Sequence, residues 1–194
     1  MPPKPKFTKE EIISAALKIV SSKGVEALTA KQLGEQLGSS ARPIFTVFSS
    51  MKEVQQQVRE ATMKYFEAFS LKDIPDMPLF KRIGLKMVIF AKSEPKFFQL
   101  LFMQENEDAD TFDDIYGILG DTAKMSISTI EKDYGLSTDK AKKLFESMWI
   151  YTFGIGALCA TGACHFSERE LSEMLSAQFE AVMLLIKSEN KRDF

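Results

Sequence analysis

Residues 8–54 read TKEEIISAALKIVSSKGVEALTAKQLGEQLGSSARPIFTVFSSMKEV, and this stretch contains the clearest fold signal in the chain. Thr8 and Thr29 each begin an apolar-periodic segment and each precede a Glu or Gln by three residues, the capping-box pattern of a helix start. Gly24 and Gly38 follow these segments and are placed to end the helices in the left-handed conformation. The stretch therefore predicts two helices in close succession.

A third, shorter helix is predicted from Ala41 to about Phe48. Only Ser39 and Ser40 lie between its start and the preceding glycine, and Pro43 falls in its first turn, where a missing N–H costs little. Two helices joined by a short turn that contains Gly form a helix-turn-helix candidate. The second helix of such a motif can enter the major groove of DNA, which is wide enough for one α-helix.

The first turn of this short helix carries the candidate base-reading residue. Arg42 can form a bidentate pair with guanine or contact a phosphate. The same local pattern occurs in helical proteins that do not bind DNA, so the local geometry alone leaves both interpretations open.

The remainder of the chain is predicted to be helical, which makes the fold class all-α. We expect an N-terminal domain of residues 1–70 and a C-terminal domain of residues 71–194, with a joint at Lys72–Pro78, where two prolines interrupt the pattern. Glu105–Asp110 is expected to be an acidic, solvated loop. The predicted helices run from Ser50 to about Phe69, Leu79–Ser93, Pro95–Gln104, Thr111–Tyr134, Ser137–Ala163 and Ser167 to about Ser188. Ser50 and Ser167 each precede a Glu by three residues, which predicts a capping box at both starts.

The charge distribution is asymmetric. Residues 1–64 contain ten Lys or Arg and six Asp or Glu, a net charge of +4, whereas the whole chain has a net charge of −2. A basic head on an acidic body suggests a polyanionic partner for the head. Lys4 and Lys6 form either a basic arm that reaches DNA or a solubilising tail.

Two further features bear on location. The N-terminus has no apolar segment typical of a signal peptide, and two cysteines provide no disulfide framework, so we expect a cytoplasmic protein. Met148–Phe166 is uncharged and long enough to suggest a membrane span. Its Gly, Thr and His residues dilute the hydrophobicity, so a helix buried in a bundle or a dimer interface is the preferred interpretation, and a membrane-associated protein is an alternative.

Residues 8–65 resemble the DNA-binding head of the TetR (tetracycline repressor) family of transcriptional regulators in helix lengths and motif order. The shared pattern is an apolar first helix, a Gly, a Thr opening the second helix, a Leu-Gly turn and a short helix ending in Phe. The resemblance implies a dimeric, ligand-responsive regulator, usually a repressor, whose last two helices pair with their copies. It also implies a double-stranded DNA operator and a small, largely apolar effector as partners.

The resemblance also implies which residues contact DNA. Phe45 stands where the family often has a Tyr whose hydroxyl contacts phosphate, Pro43 replaces a common hydroxyl residue, and Lys52 is one position later than the expected Lys. The implied DNA-binding residues are Thr29, Ser39, Ser40, Ala41, Arg42, Pro43, Phe45 and Lys52.

Aromatic and Met residues of the body predict an effector pocket. Such side chains equally form ordinary core, and for a single residue packing is the more frequent role. The resemblance implies a ligand cavity in this part of the chain, so we expect a pocket among these helices. The predicted ligand-binding residues are Met87, Phe90, Phe98, Phe102, Met103, Phe112, Tyr116, Trp149 and Phe153.

Other chemistries find little support. Cys159, Cys164 and His165 lack a fourth metal ligand, and the single His allows no convincing catalytic triad. We therefore expect no metal, no cofactor and no enzymatic activity. The rival class is a helical ligand carrier or enzyme whose N-terminal domain is only structural.

Overall fold

A computed structural model describes residues 5–72, 77–105 and 111–189. Within these ranges the protein is helical and contains no β-strand, which confirms the all-α prediction. Two short 3-10 turns, Val25–Ala27 and Ile44–Thr46, accompany the helices. The α-helices are α1 (Lys9–Lys23), α2 (Ala30–Gln36), α3 (Met51–Ser70), α4 (Leu79–Ser93), α5 (Pro95–Phe102), α6 (Phe112–Leu119), α7 (Asp121–Tyr134), α8 (Thr138–Ala160) and α9 (Glu168–Glu189).

The first and last helices begin with complete capping boxes. The Thr8 hydroxyl accepts from the Glu11 N–H at 3.2 Å, and the Glu11 carboxylate accepts from the Thr8 N–H at 2.8 Å. At α9 the Ser167 hydroxyl accepts from the Glu170 N–H at 3.2 Å, and the Glu170 carboxylate accepts from the Ser167 N–H at 2.7 Å. Both predicted helix starts are confirmed because the orphan N–H groups of these first turns find partners in the local sequence.

The caps of α2 and α3 differ in detail. The Thr29 hydroxyl accepts from the Gln32 N–H at 3.2 Å, as predicted for α2. At α3 the Ser50 hydroxyl accepts from the Glu53 N–H at 3.2 Å, but the Glu53 carboxylate accepts from the N–H of Ser49 at 2.7 Å. In a capping box the Glu53 carboxylate would accept from the N–H of Ser50, whereas here it binds Ser49, one residue earlier.

The segment predicted as an α-helix from Ala41 to Phe48 forms 3-10 turns instead. Its hydrogen bonds from Ile44 N–H to Ala41 C=O (3.1 Å) and from Thr46 N–H to Pro43 C=O (3.2 Å) each span three residues. The Thr46 hydroxyl also donates to the Pro43 carbonyl, at 2.7 Å, and so competes for an acceptor that an α-helical turn would use. A segment this short gains too little from helix propagation to resist the tighter turn.

One predicted helix is broken and another ends earlier than predicted, in each case at or near a glycine. The predicted helix Thr111–Tyr134 is broken at Gly120, whose φ of 54° and ψ of −127° separate α6 from α7. Helix α8 ends at Ala160 rather than at Ala163, with Gly162 at φ 72° shortly after it. Gly24 ends α1 as predicted, but its ψ of 168° is not that of the left-handed helical region.

The first of two compact units contains Met1–Phe66 and Ser93–Gln104. Helix α5 therefore belongs to this unit, where it packs against α1. The Arg59 guanidinium donates to the Leu101 carbonyl at 3.1 Å, which joins α3 to α5. The buried side chains of this unit include Ile12, Ala16, Val20, Leu33, Ile44, Phe48, Val54, Val58, Phe66, Phe98 and Leu101.

The second unit contains Glu67–Lys92 and Glu105–Phe194. In it, α8 packs against both α7 and α9. Val88 of α4, Ile155 of α8 and Leu171 of α9 form one buried cluster of its core. The domain boundary predicted between residues 70 and 71 stays a prediction. Across the ranges that the structure describes, each helix is too short or too polar to span a bilayer.

Candidate nucleic-acid interface and ligand cavity

The turn after α2 lies directly against that helix. The Ser39 N–H donates to the Gly34 carbonyl at 2.9 Å. A Cβ atom built on Gly34 would lie 2.9 Å from the Ala41 nitrogen and 2.9 Å from the Ser40 carbonyl carbon, closer than real Cβ atoms approach. Gly34 is therefore required by the backbone of the turn. Sequence reasoning missed this residue, although a glycine inside a predicted helix was an available signal.

Two buried side chains anchor the segment that follows the turn. Ile44 and Phe48 have relative exposures of 0% and 1%, and Lys9 Nζ lies 5.4 Å from the centroid of the Phe48 ring. Between these anchors Phe45 is 46% exposed, and Arg42 before them is also exposed. The segment is thus held on one side by core contacts and presents Arg42 and Phe45 to solvent on the other.

The predicted DNA-contacting residues all belong to the first unit. The exposed ones are Thr29, Ser40, Arg42, Phe45 and Lys52, and the half-buried ones are Ser39, Ala41 and Pro43. Every one of them can be reached from solvent, as contact with DNA requires. Their roles at DNA stay predictions.

A basic side chain from the N-terminus lies beside the turn. Lys6 Nζ donates to the Ser39 hydroxyl at 3.0 Å, so its ammonium is held next to the predicted contact set. Lys4, the other residue of the predicted basic arm, lies outside the described residues. The position of Lys6 favours a basic arm over a free tail.

The N-terminus of α3 is charged at neutral pH. Hydrogen bonds from Ser49, first from its backbone N–H and then from its hydroxyl, hold the pKa of the Glu53 carboxyl below its ordinary value. The ionised carboxylate therefore stabilises the start of the helix that carries Lys52 in its first turn.

A cavity of about 90 Å³ lies within the second unit. A cavity needs about 10–15 Å³ to hold one water molecule, so this one is large enough for more than a single water. Its lining comes from α4, α7, α8 and α9. Apolar side chains dominate the walls, among them Phe80, Ile83, Met87, Phe145, Met148 and Phe179.

Only part of the predicted ligand-binding set lies at this cavity. Met87 and Trp149 line it. Phe153 stacks on Trp149 at 5.3 Å, and Phe112 meets the same indole edge to face at 5.5 Å. These two rings therefore pack against Trp149 and are not themselves part of the lining. Trp149 Nε1 is buried and has no hydrogen-bond partner among the described residues.

Two further predicted residues belong to the second unit but are not part of the lining. The Tyr116 ring stacks at 5.6 Å on Phe145, a wall residue, and its hydroxyl donates to Glu146 at 2.8 Å. Burial, followed by this hydrogen bond, raises the pKa of Tyr116, so the phenol stays neutral. Phe90 is fully buried and packs against Phe69 at 5.5 Å.

The remaining predicted residues belong to the first unit. Phe102 packs against Phe98 at 5.1 Å and against Phe66 at 5.3 Å, and Met103 is 37% exposed. Sequence reasoning also missed Phe80 and Phe179 as wall residues. No local signal identifies them, because they come from helices far apart in the chain.

Cys159 lies in the last turn of α8, and Cys164 follows the helix. Burial raises the pKa of the Cys159 thiol, which lowers its thiolate fraction. In the described part of the chain, no three His, Cys, Asp or Glu side chains come together in a way that could hold a metal ion.

Known proteins resemble this chain in structure rather than in sequence. No protein-family model matches it. No curated protein matches it either. A TetR-family protein from Vibrio parahaemolyticus is similar over 89% of this chain and 97% of its own, with 16% identity and a TM-score of 0.61.

Two other solved structures agree. A TetR variant from Acinetobacter baumannii AYE, in complex with minocycline, is 18% identical over 96% of this chain and 98% of its own, with a TM-score of 0.56. A TetR-family regulator from Mesorhizobium loti MAFF303099 is 18% identical over 91% and 95%, with a TM-score of 0.58. The chain therefore has the fold of the TetR-family transcriptional regulators, as the resemblance of its head predicted.

Proposed function

We propose that this chain is a ligand-responsive transcriptional regulator of the cytoplasm that binds DNA as a homodimer. We further propose that it is a repressor, released from its operator by a small, largely apolar effector. The observation that carries the proposal is the segment from Arg42 to Phe48. Its anchors Ile44 and Phe48 are buried while Arg42 and Phe45 face solvent, which is the arrangement that a DNA-reading element needs.

At the operator, the turn Ser39–Pro43 and Phe45 lie in the major groove. Arg42 reads guanine through a bidentate pair, and Thr29 and Lys52 contact phosphates on either side. Phe45 has no hydroxyl to offer a phosphate, so its exposed ring contacts apolar parts of the groove, such as a thymine methyl group. Affinity then depends on basic residues and falls with salt.

The dimer forms through α8 and α9. Large apolar side chains are exposed on both helices: Ile150 at 57%, Leu158 at 40%, Leu184 at 69% and Leu185 at 52%. Side chains of this kind are stabilised when a second copy covers them. A two-fold dimer presents two reading segments to half-sites about 34–36 Å apart.

Effector binding is coupled to DNA binding through the short connections that join the cavity-lining helix to the first unit. Helix α4 lines the cavity, and a single residue, Glu94, separates it from α5, which packs against α1 in the first unit. The predicted joint at Lys72–Pro78 is a second connection, of which residues 73–76 lie outside the described residues. An effector weakens DNA binding if it favours an arrangement of these connections that binds DNA less tightly. By linkage, DNA must then weaken effector binding by the same factor.

Fluorescence anisotropy with DNA from both sides of the gene tests the DNA-binding part. We expect binding that weakens with salt, and a roughly 10- to 100-fold loss of affinity for Arg42→Ala at its cognate site. Lys64→Ala is the matched control, because Lys64 is exposed on α3 about 18 Å along the helix from Lys52. Unchanged DNA binding by Arg42→Ala would show that the reading segment is wrongly assigned. A chain that binds a ligand but no DNA at any salt concentration is a helical carrier or an enzyme instead.

Sedimentation measurements test the dimer. Leu184→Glu places a charge on the exposed apolar surface of α9, so we expect it to shift the protein to monomer at micromolar concentration. Leu71→Glu is the control, because Leu71 is 47% exposed but lies outside α8 and α9. A Leu184→Glu protein that remains as dimeric as the parent chain refutes this interface.

A further inference from the structure

Among the described residues, the lining of the cavity in the second unit carries positive charge and no negative charge. Lys81 is the only charged residue in its lining, and within the described part of the chain no carboxylate lines it. Lys81 is exposed, and its Nζ lies 4.7 Å from the centroid of the Phe179 ring, another lining residue. No carboxylate forms an ion pair with Lys81 among the described residues. The ammonium therefore stands in the lining of an apolar cavity and has no anionic partner among the residues that the structure describes.

The remaining polar side chains of the lining are four hydroxyls and one indole, those of Ser126, Thr152, Ser172, Ser176 and Trp149. The Ser126 hydroxyl already donates to the Thr122 carbonyl, at 2.8 Å, which leaves the other three hydroxyls and the indole N–H as donors for a ligand. Thr152 is only 3% exposed. A cavity with hydroxyl donors and one cation matches a ligand that carries oxygen acceptors and a negative charge. It disfavours a ligand with an ammonium group, which would meet Lys81 with like charge.

We propose that the occupant of this cavity is an amphipathic anion, a small apolar molecule with one carboxylate or similar acidic group beside Lys81. This deepens the proposed function, on which it rests only in treating the cavity as the effector site. The apolar part of the anion packs against Met87, Phe145 and Met148, and the acidic group accepts from Lys81. The cavity volume of about 90 Å³ favours a small ligand.

A matched set of probes isolates the charge. Octanoate, 1-octanol and octylamine share one alkyl chain and differ in the sign of the head group. Trp149 is the only tryptophan in the sequence and lines the cavity, so its fluorescence reports occupancy directly. We expect octanoate to bind about three- to tenfold more tightly than octanol, because a charge-assisted contact to an exposed lysine is partly screened by water. The preference should shrink as salt is raised from about 0.1 M to about 1 M.

Variants of α4 localise the effect. Lys81→Gln should abolish the preference for octanoate and leave octanol binding within about twofold, whereas Lys81→Arg should keep the preference. Lys86→Gln is the control, because Lys86 is on the same helix and its Nζ lies 5.1 Å from the Phe69 ring rather than at the cavity. Gly84→Leu should block all three probes, since Gly84 lines the cavity. Gly84→Ala should not, because its Cβ would meet only Thr152 Oγ1, at 3.8 Å.

The outcomes separate this inference from the proposed function. The inference is overturned if octanol or octylamine binds as tightly as octanoate, if Lys81→Gln leaves the preference intact, or if none of the probes binds. If octanoate binds with the expected dependence on Lys81 but the chain binds no DNA, the inference stands and the regulator assignment fails. If DNA is bound and is released equally well by the uncharged probe, the regulator assignment stands and the inference fails.

Discussion

The sharpest prediction concerns Gly34, which lies inside α2 where alanine is ordinarily the better residue. The added methyl group would meet backbone atoms of Ser40 and Ala41 at 2.9 Å, and backbone atoms cannot swing aside as the end of a long side chain can. We therefore expect Gly34→Ala to push the turn away from α2 and to strain the hydrogen bond from Ser39 N–H to Gly34 C=O.

The change in the free energy of unfolding has three contributions, of which two destabilise the protein and one stabilises it. Overpacking of this kind costs about 1–3 kcal/mol, and loss of the hydrogen bond costs about 0.5–1.5 kcal/mol. The higher helix propensity of alanine returns about 1 kcal/mol. The expected net destabilisation by Gly34→Ala is therefore roughly 2 kcal/mol, which corresponds to a fall in melting temperature of about 4–8 °C.

Urea unfolding followed by circular dichroism measures this change, and DNA anisotropy measures its consequence for the reading segment. Gly117→Ala is the matched control, because Gly117 also lies inside a helix but a Cβ there would meet nothing within 4 Å. That variant should be stabilised by about 1 kcal/mol through helix propensity alone. If Gly34→Ala is stabilised as much as Gly117→Ala and binds DNA like the parent chain, the steric reasoning is refuted.

Three further predictions test local structure. Thr8→Ala removes the cap of α1 and should cost about 1 kcal/mol in urea unfolding, whereas Thr8→Ser should cost much less. Gly120→Ala should destabilise the protein by about 1–3 kcal/mol in the same assay, because φ 54° with ψ −127° suits only glycine, and a stabilised variant would contradict the break between α6 and α7. Hydrogen bonds from Ser167, from its hydroxyl first and then its N–H, hold the pKa of Glu170 below the ordinary 4.5. This stabilisation is complete above about pH 4.5 and is lost as pH falls through the lower folded-state pKa, so Glu170→Gln should lose less stability on acidification, as measured by urea unfolding across the acid range.

Much of the fold was predictable because helix starts are written in local sequence. The boxes at Thr8 and Ser167 need only a hydroxyl and a carboxylate three residues apart, and both formed as expected. The same local reasoning failed from Ala41 to Phe48, where the hydroxyl of Thr46 competes for a backbone acceptor. It failed again at Gly120, because a glycine within an apolar-periodic run does not reveal whether its backbone stays helical.

Of the two candidate sites, the DNA-contacting surface was predictable from the sequence and the cavity was mostly not. The predicted DNA-contacting residues come mainly from one continuous stretch, so a motif could locate them together on an exposed surface. The cavity combines α4, α7, α8 and α9, and the sequence identified only Met87 and Trp149 of its lining beforehand. Phe98 and Phe102 follow α4 closely in the chain but pack in the other unit.

Local patterns in the sequence are enough to show that this chain is helical, where most of its helices begin, and which short segment could read DNA. Hydrogen bonds between residues a few positions apart set these features, so a linear pattern contains them. The packing of the helices was needed to show that Gly34 must lack a side chain, that α5 belongs to the first unit, and that Phe80, Lys81 and Phe179 line one cavity. These features depend on which helix faces pack together. Packing brings together residues that are far apart in the sequence, and their contacts produce no pattern in the sequence from which they could be predicted.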